Sequence, residues 1–88
     1  MWLAQYRVKQ GSPWETLGDR NWRSQEGAKA ACKKFLAGNP EIRSTVAFRT
    51  IVDDGSGVIY QECQPPHRSR LVWRDVPWPA IDERFRVH

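Results

Sequence analysis

One stretch of the chain, between Ser24 and Pro40, carries the signals of an amphipathic helix. Ser24 is a good N-cap, Glu26 suits the positive end of the helix dipole, and Gly38 with Pro40 provides a stop. The apolar residues recur at the spacing that places them on one stripe: Ala28, Ala31, Cys32, Phe35 and Leu36. This pattern predicts a helix over residues 25–37 that buries the stripe against another layer.

The opposite face of the predicted helix carries three lysines, Lys29, Lys33 and Lys34. We interpret them first as solubilising residues, and second as a basic face that extends a binding patch. Gly27, at the third helical position, costs about 1 kcal/mol relative to alanine. Packing, not intrinsic propensity, is therefore expected to hold this helix.

Alternating apolar and polar residues predict strands on both sides of the helix. Residues 2–17 have the pattern of a β-hairpin, and residues 45–53 and 58–63 form a second hairpin around a glycine-rich turn. A last strand is expected over residues 68–76. Together these elements predict an α+β fold, an antiparallel sheet of four to five strands in ββαβββ order with the helix packed on one face.

The chain is expected to form one domain over residues 1–76, since a chain of 88 residues holds a single core. Residues 77–88 are interpreted as a tail, because Pro77 and Pro79 do not suit the interior of a sheet. Pro79 suits the first position of a short helix. Two roles stay open for Trp78 in this tail, packing on the domain and contacting a partner.

The net charge of +4 and the pI of 9.5 favour a partner that carries negative charge. No apolar run reaches the roughly 18–20 residues that span a bilayer, and the first residues lack the pattern of a signal peptide. We therefore expect a cytoplasmic protein without a membrane partner. Cys32 and Cys63 are too few for a disulfide framework and are expected to be free thiols.

Two segments rich in arginine and tryptophan are the candidate binding sites. Residues 67–74 have the composition that neutralises phosphates and stacks on bases, and the alternative is a solvated strand whose tryptophan lies in the core. Residues 19–23 place a tryptophan between arginines, as interface anchors do, and the alternative is a tryptophan that fastens the loop to the core. The residues expected to contact a partner are Arg20, Trp22, Arg23, Arg68, Arg70, Trp73, Arg74 and Trp78.

Catalytic and metal-binding patterns are weak in this sequence. The only set of four thiols and imidazoles is Cys32, Cys63, His67 and His88, and its spacing matches no zinc motif. Asp53 and Asp54 lie in a glycine-rich turn, where no burial would raise a carboxyl pKa. We therefore predict no metal, no cofactor and no enzymatic activity.

Four segments share a pattern with a group of small proteins: Tyr6-Arg7-Val8, Trp14-Glu15-Thr16-Leu17, Ser24-Gln25-Glu26-Gly27-Ala28-Lys29-Ala30-Ala31 and Val52-Asp53-Asp54-Gly55-Ser56-Gly57-Val58-Ile59. Over residues 2–63 the chain resembles short proteins of phages and mobile elements, some of which inhibit host defence, including anti-CRISPR proteins. The resemblance implies a protein that docks on a host nucleoprotein machine and blocks or diverts it. The chain is basic, unlike the acidic members that mimic DNA, so mimicry of nucleic acid is disfavoured.

The sequence is compatible with three functions. The first is a non-enzymatic binding protein, a phage-type inhibitor that docks on a host protein or nucleoprotein complex. The second is direct nucleic-acid binding through a basic strand that contains Arg68, Arg70, Trp73 and Arg74. The third is a small ribonuclease of the toxin type, with His67, Tyr60 and an arginine as acid, base and phosphate clamp.

Overall fold

A computed structural model describes residues 1–18, 21–67 and 70–81, with the side chains of the last strand described up to residue 76. This part of the chain contains one α-helix, one 3₁₀ helix and five strands. Their bounds are β1 Trp2–Arg7, β2 Glu15–Thr16, α1 Gln25–Gly38, the 3₁₀ helix Pro40–Ile42, β3 Ala47–Val52, β4 Val58–Cys63 and β5 Arg74–Ile81. The predicted α+β class is confirmed.

The strands form one antiparallel sheet in the order β2-β1-β3-β4-β5. Both predicted hairpins are confirmed: Gln5 pairs with Thr16 between β1 and β2, and Phe48 pairs with Cys63 between β3 and β4. The two hairpins join along the full length of β1 and β3, from the pair Trp2 and Val52 to the pair Arg7 and Ala47. The central strand of the sheet is therefore β3.

The helix α1 is one residue longer than predicted and has a defined cap at each end. The Ser24 side chain accepts a hydrogen bond of 3.1 Å from the Gly27 amide, which is the expected N-cap. At the other end Asn39 donates its backbone amide to the Leu36 carbonyl at 3.1 Å and its side-chain amide to the Phe35 carbonyl at 2.9 Å. Among the described residues, no helix has the length and hydrophobicity that a membrane span requires.

The core lies between α1 and the face of the sheet that the helix covers. On the helix, Ala28, Cys32 and Leu36 are buried, and Ala31 and Phe35 are half-buried beside them, so the predicted stripe is confirmed. The sheet and its flanking residues contribute the buried side chains Ala4, Leu17, Val46, Phe48 and Cys63. Burial of this apolar surface is the main force that holds the helix on the sheet.

The opposite face of the sheet, which we call the outer face, is also buried along β3. Because strand side chains alternate, Ala47, Arg49 and Ile51 point away from α1. Their exposed fractions are 1%, 9% and 0%. The central strand is thus buried on both faces, whereas the alternating pattern of residues 45–53 is typical of a strand with one buried face.

The last strand differs from the prediction, which placed it over residues 68–76. It runs from Arg74 to Ile81 at the edge of the sheet, so the stretch 77–81 is strand and not a tail with a helix beginning at Pro79. Between the pairs Gln61–Asp75 and Ile59–Ala80, two steps along β4 correspond to five along β5. Edge strands and bulges are where a sheet tolerates proline. Residues 82–88 of the predicted tail lie outside the described residues.

Candidate functional site

The structure describes six of the eight predicted contact residues, and it describes the side chains of five of them. Arg20 and Arg68 lie outside the described residues, and only the backbone of Trp78, within β5, is described. Arg23, Arg70 and Arg74 are exposed, whereas Trp22 and Trp73 are half-buried. The three arginines, and not the two tryptophans, are therefore the described members that are most open to a partner.

Trp22 is fastened to the domain by its backbone and its ring. Its amide and carbonyl exchange hydrogen bonds of 2.8 and 2.7 Å with Trp2, which adds one antiparallel bridge on the edge of β1 that faces away from β3. Its ring lies against the start of α1, since a Cβ added at Gly27 would be 3.2 Å from the indole Cδ1. This packing supports the interpretation that Trp22 fastens its loop to the core.

Trp73 packs on the core cluster, and Lys29 of α1 lies over it with Nζ 5.5 Å from the ring centre. The Lys29 side chain is only 18% exposed, and Nζ is 3.7 Å from the Glu26 carboxylate. Its position in the helix predicted that Lys29 would belong to an open basic face, and this prediction is wrong. Lys33 and Lys34 are exposed, as predicted.

His67, proposed as a catalytic acid, is a core histidine that is 6% exposed. Its Nε2 lies 2.6 Å from the Val46 carbonyl oxygen, so Nε2 carries the proton and donates. Its Nδ1 is 3.7 Å from Cys63 Sγ, whose thiol can donate to it. Both ring nitrogens are thus engaged inside the protein, away from any solvent-exposed substrate.

Tyr60, the other proposed catalytic group, lies toward the opposite end of the strands. It is 49% exposed, and its ring centre is 5.0 Å from that of Trp2. Trp2 pairs with Val52 at one end of β3, whereas Phe48, near the other end, contacts His67. The structure therefore does not bring the proposed ribonuclease residues together.

The two cysteines are buried free thiols between the helix and the sheet, Cys32 on α1 and Cys63 on β4. Burial raises the pKa of Cys32 to about 12, with a smaller contribution from nearby Cys63, and burial also raises the pKa of Cys63. Both groups therefore stay protonated at neutral pH and are poor nucleophiles. Within the described residues, no three potential metal ligands of the Cys, His, Asp or Glu type come together, and His88 lies outside them.

The outer face carries a group of side chains that the sequence pattern did not bring together. The guanidinium carbons of Arg7 and Arg49 lie 4.9 and 4.2 Å from the centre of the Trp14 ring. Arg49 also donates from Nε to Oε1 of Gln5, at 2.7 Å. We call Arg7, Trp14 and Arg49 the arginine–indole cluster. It holds two cations side by side in fixed positions on the sheet.

A polar row crosses the outer face through the centre of this cluster. Directly opposite each other on the five strands, in sheet order, stand Thr16, Gln5, Arg49, Glu62 and Arg74. The single carboxylate lies between two arginines, so the row keeps a positive balance. Arg74 is the one predicted contact residue that this row includes.

A cleft of about 550 Å³ opens beside the cluster, where β1 and β4 end and β3 begins. Its lining residues are Arg7, Lys9, Gln10, Ser44, Thr45, Ala47, Gln64 and Pro65. Two of these side chains are cations, four are neutral and polar, and none of the described lining residues is a carboxylate. An anion is therefore the ligand that the lining favours.

In comparisons with known proteins, no family model matches the chain, and no similar protein was found among curated proteins or solved structures. The resemblance to small phage proteins accordingly rests on the sequence pattern alone.

A second groove, of about 470 Å³, lies on the helix side of the domain. It follows the flank of α1, and its lining residues are Leu17, Gly18, Trp22, Gly27, Ala30, Ala31, Lys34 and Phe35. The lining is mainly apolar with a single cation. Unlike the cleft, it offers few groups that would orient a charged partner.

Proposed function

We propose that this chain is a non-catalytic binding domain that docks through its outer face on a negatively charged surface of a nucleoprotein complex. The observation that carries the proposal is the arginine–indole cluster, in which Arg7 and Arg49 are held against Trp14. The cluster borders a cleft that adds Lys9 and has no carboxylate among its described lining residues. Fixed cations on a sheet attract an anionic partner and orient it.

The rigidity of the cluster supports a role in recognition. A guanidinium that is already packed on an indole loses less conformational freedom on binding than a free surface side chain does. Arg7 is half-buried, and its shielded Nε atom has no hydrogen-bond partner in the described part of the chain, so the charge of Arg7 is not taken up by a bond at that atom. Tryptophan and arginine are the residues most enriched at the energetic centres of interfaces.

A binding role is better supported than a catalytic one, because His67 and Asp54, two groups that could move a proton, are engaged in hydrogen bonds within the chain. The ring nitrogens of His67 contact Val46 and Cys63 in the interior. The Asp54 carboxylate accepts from the Ser56 amide and hydroxyl within an exposed turn, and these bonds hold the pKa of Asp54 below its usual value. Such a carboxylate is a poor general base near neutral pH.

The finer assignment is a phage-type inhibitor of a host complex, in the cytoplasm. It is supported by the resemblance over residues 2–63, by the small size of the chain and by its positive charge. Direct binding of nucleic acid through the segment 67–74 alone is less well supported, since Trp73 packs on the core under Lys29. Arg70 and Arg74 are the exposed described arginines of that segment.

The test is affinity purification from a host lysate followed by mass spectrometry, with and without nuclease. A double variant, Arg7→Gln with Lys9→Gln, removes two cations from the outer face. The matched control, Lys33→Gln with Lys34→Gln, removes the same charge from the exposed side of α1. We expect the control to retain the protein partners of the wild type and the first variant to lose them.

Two outcomes would count against the proposal. Equal capture by both double variants would exclude the outer face as the docking surface. Capture of nucleic acid alone, with no protein retained after nuclease treatment, would replace a nucleoprotein partner by nucleic acid itself.

A further inference from the structure

We propose that the cleft between the ends of β1 and β4 is a binding site for a phosphate group. In the docked complex this group is a backbone phosphate of the partner's nucleic acid, so the inference rests on the proposed function and names what the outer face recognises. The juxtaposition that carries it is Arg7 and Lys9 facing neutral donors around one cavity of about 550 Å³.

The two cations complement each other in the way that phosphate sites require. Arg7 offers a planar fork of donors and Lys9 a compact charge. Lys9 is exposed in its turn, and Arg7 is half-buried with its guanidinium against Trp14. The Arg7 Nε atom is shielded from solvent and has no hydrogen-bond partner in the described part of the chain. The fork is thus placed by packing, and no carboxylate of the described residues forms an ion pair with it.

The neutral side chains of the lining add hydrogen-bond donors. Gln10 and Gln64 carry amide groups, and Ser44 carries an exposed hydroxyl. Thr45 Oγ1 makes only a long contact of 3.4 Å to the Ile42 carbonyl. A tetrahedral oxyanion with several acceptor oxygens can use donors that approach from different walls.

The walls of the cleft are fixed by bonds outside the cleft itself. On the β1 side, the Ser12 amide donates to the Lys9 carbonyl at 3.1 Å and closes the turn that presents Lys9. On the other side, His67 links the loop after β4 to the segment before β3, through Arg43 at 3.2 Å and Val46 at 2.6 Å. A site whose walls are held in advance binds its ligand at a lower cost in entropy.

Glu15, Glu62 and Asp75 of the neighbouring strands are not among the residues that line the cleft. Glu62 stands between Arg49 and Arg74 in the polar row. Asp75 accepts from Gln61 at 2.7 Å, and Gln61 in turn accepts from Gln25 of α1 on the helix side of the sheet. The cleft therefore keeps a positive potential that favours an anion over a metal cation.

The size of the cleft favours a phosphate within a chain over a free phosphate ion. Its volume of about 550 Å³ lies in the range of sites that bury a whole drug-sized ligand. A phosphodiester fills it with the adjoining sugars, whereas an isolated phosphate leaves most of it to water. A free phosphate ion and a backbone phosphate of nucleic acid should therefore differ in their affinity for the cleft.

The experiment is a titration of the folded protein, followed by amide chemical shifts, with inorganic phosphate in one arm and a short single-stranded oligonucleotide in the other. We expect shifts centred on the cleft residues in both arms and an affinity at least about tenfold higher for the oligonucleotide. For the oligonucleotide, the slope of log affinity against log salt should be about −0.7 for each phosphate bound. A higher affinity for phosphate would reassign the site to the free ion and overturn the backbone inference.

Single variants test the contribution of each cation to oligonucleotide binding. Lys9→Gln alters an exposed turn residue and leaves the packing intact, and Arg7→Gln removes the fork; each should weaken oligonucleotide binding about tenfold. Lys33→Gln is the matched control and should change it less than twofold. Absence of cleft shifts at ~50 mM salt, or equal weakening by the control, would overturn the inference. If the wild-type protein still captured its protein partner in the affinity purification, the phosphate site would be wrong while the proposed docking function would stand.

Discussion

Arg49 donates a hydrogen bond of 2.7 Å from Nε to Oε1 of Gln5, directly across the β1–β3 pair. Both side chains are withdrawn from water on the outer face, with Gln5 fully buried and Arg49 9% exposed. A slip of one residue in either strand would turn that strand's member of the pair, Gln5 or Arg49, to the helix face, into the apolar core. The pair therefore fixes the register of the two central strands and holds one cation of the arginine–indole cluster.

Replacing Gln5 by leucine should test this role. Gln5→Leu keeps the approximate size of the side chain but removes the acceptor of a buried, charged donor, which costs about 1.5–3 kcal/mol. The measurement is the free energy of unfolding in urea, with Thr16→Val as the control, since Thr16 lies next to Gln5 in the same row but is exposed. An unchanged stability of Gln5→Leu would contradict the importance of the pair.

Gly27 and Trp22 should show energetic coupling. In an exposed helix, glycine to alanine stabilises by about 0.5–1 kcal/mol. Here the new Cβ would lie 3.2 Å from Trp22 Cδ1, closer than an unstrained contact. Gly27→Ala should therefore stabilise the wild type less than it stabilises a Trp22→Ala variant.

A double-mutant cycle of urea unfolding measures this difference directly. We expect a coupling free energy of about 0.5–1 kcal/mol, the part of the helix gain that the indole blocks. Equal effects of Gly27→Ala in both backgrounds would show that the indole does not restrict this position.

The elements with strong local signals were predictable from the sequence. The Ser24 cap and the apolar stripe located α1 to within one residue at its end, and alternation located both hairpins. The last strand was placed too early because Pro77 and Pro79 were taken as its limit. The bulge opposite β4 takes up these residues at a sheet edge, and a bulge depends on the partner strand, which local patterns do not encode.

The candidate site was predictable only in part, for a related reason. Alternation along β1 placed Gln5 and Arg7 on one face, but it does not say which strand lies beside β1. Arg49 joins them because β3, and not β4, pairs with β1. Trp14 then reaches both arginines across the β2–β1 edge. The composition of the chain indicated an anionic partner. The location of the surface that would bind this partner could be found only once the strand order was known.

The stability of the protein should fall at alkaline pH because of its buried thiols. Burial raises the pKa of Cys32 to about 12 in the folded chain, compared with about 8.5 in the unfolded chain. Above pH 8.5 the unfolded chain loses a proton that the folded chain keeps, so the free energy of unfolding decreases by up to about 1.4 kcal/mol per pH unit. Below pH 8.5, the Cys32 thiol is protonated in both states and does not make the free energy of unfolding depend on pH.

Urea unfolding at several pH values between about 7 and 10.5 should reveal this behaviour. The stability of Cys32→Ala should decline less steeply than that of the wild type over the alkaline range, although the wild type starts higher. Lysine and tyrosine titration is common to both proteins and cancels in the comparison. Parallel curves would mean that Cys32 is not held as a neutral thiol.

Substitutions at Gly11 and Gly38 can be compared to measure the effect of backbone strain in the turn beside the cleft. At neither position would an added side chain create a steric contact. An added Cβ meets no atom within 4 Å at either position, but Gly11 has a φ of +91° whereas Gly38 ends α1. Gly11→Ala should therefore destabilise the domain by about 1–2 kcal/mol, and Gly38→Ala should be neutral or stabilise it by up to about 1 kcal/mol. Because Gly11 lies in the turn that presents Lys9, Gly11→Ala should also weaken oligonucleotide binding severalfold under conditions where the domain stays folded, and Gly38→Ala should not. If Gly11→Ala lowered stability yet left that affinity unchanged, the turn would be needed for folding but not for placing the cation.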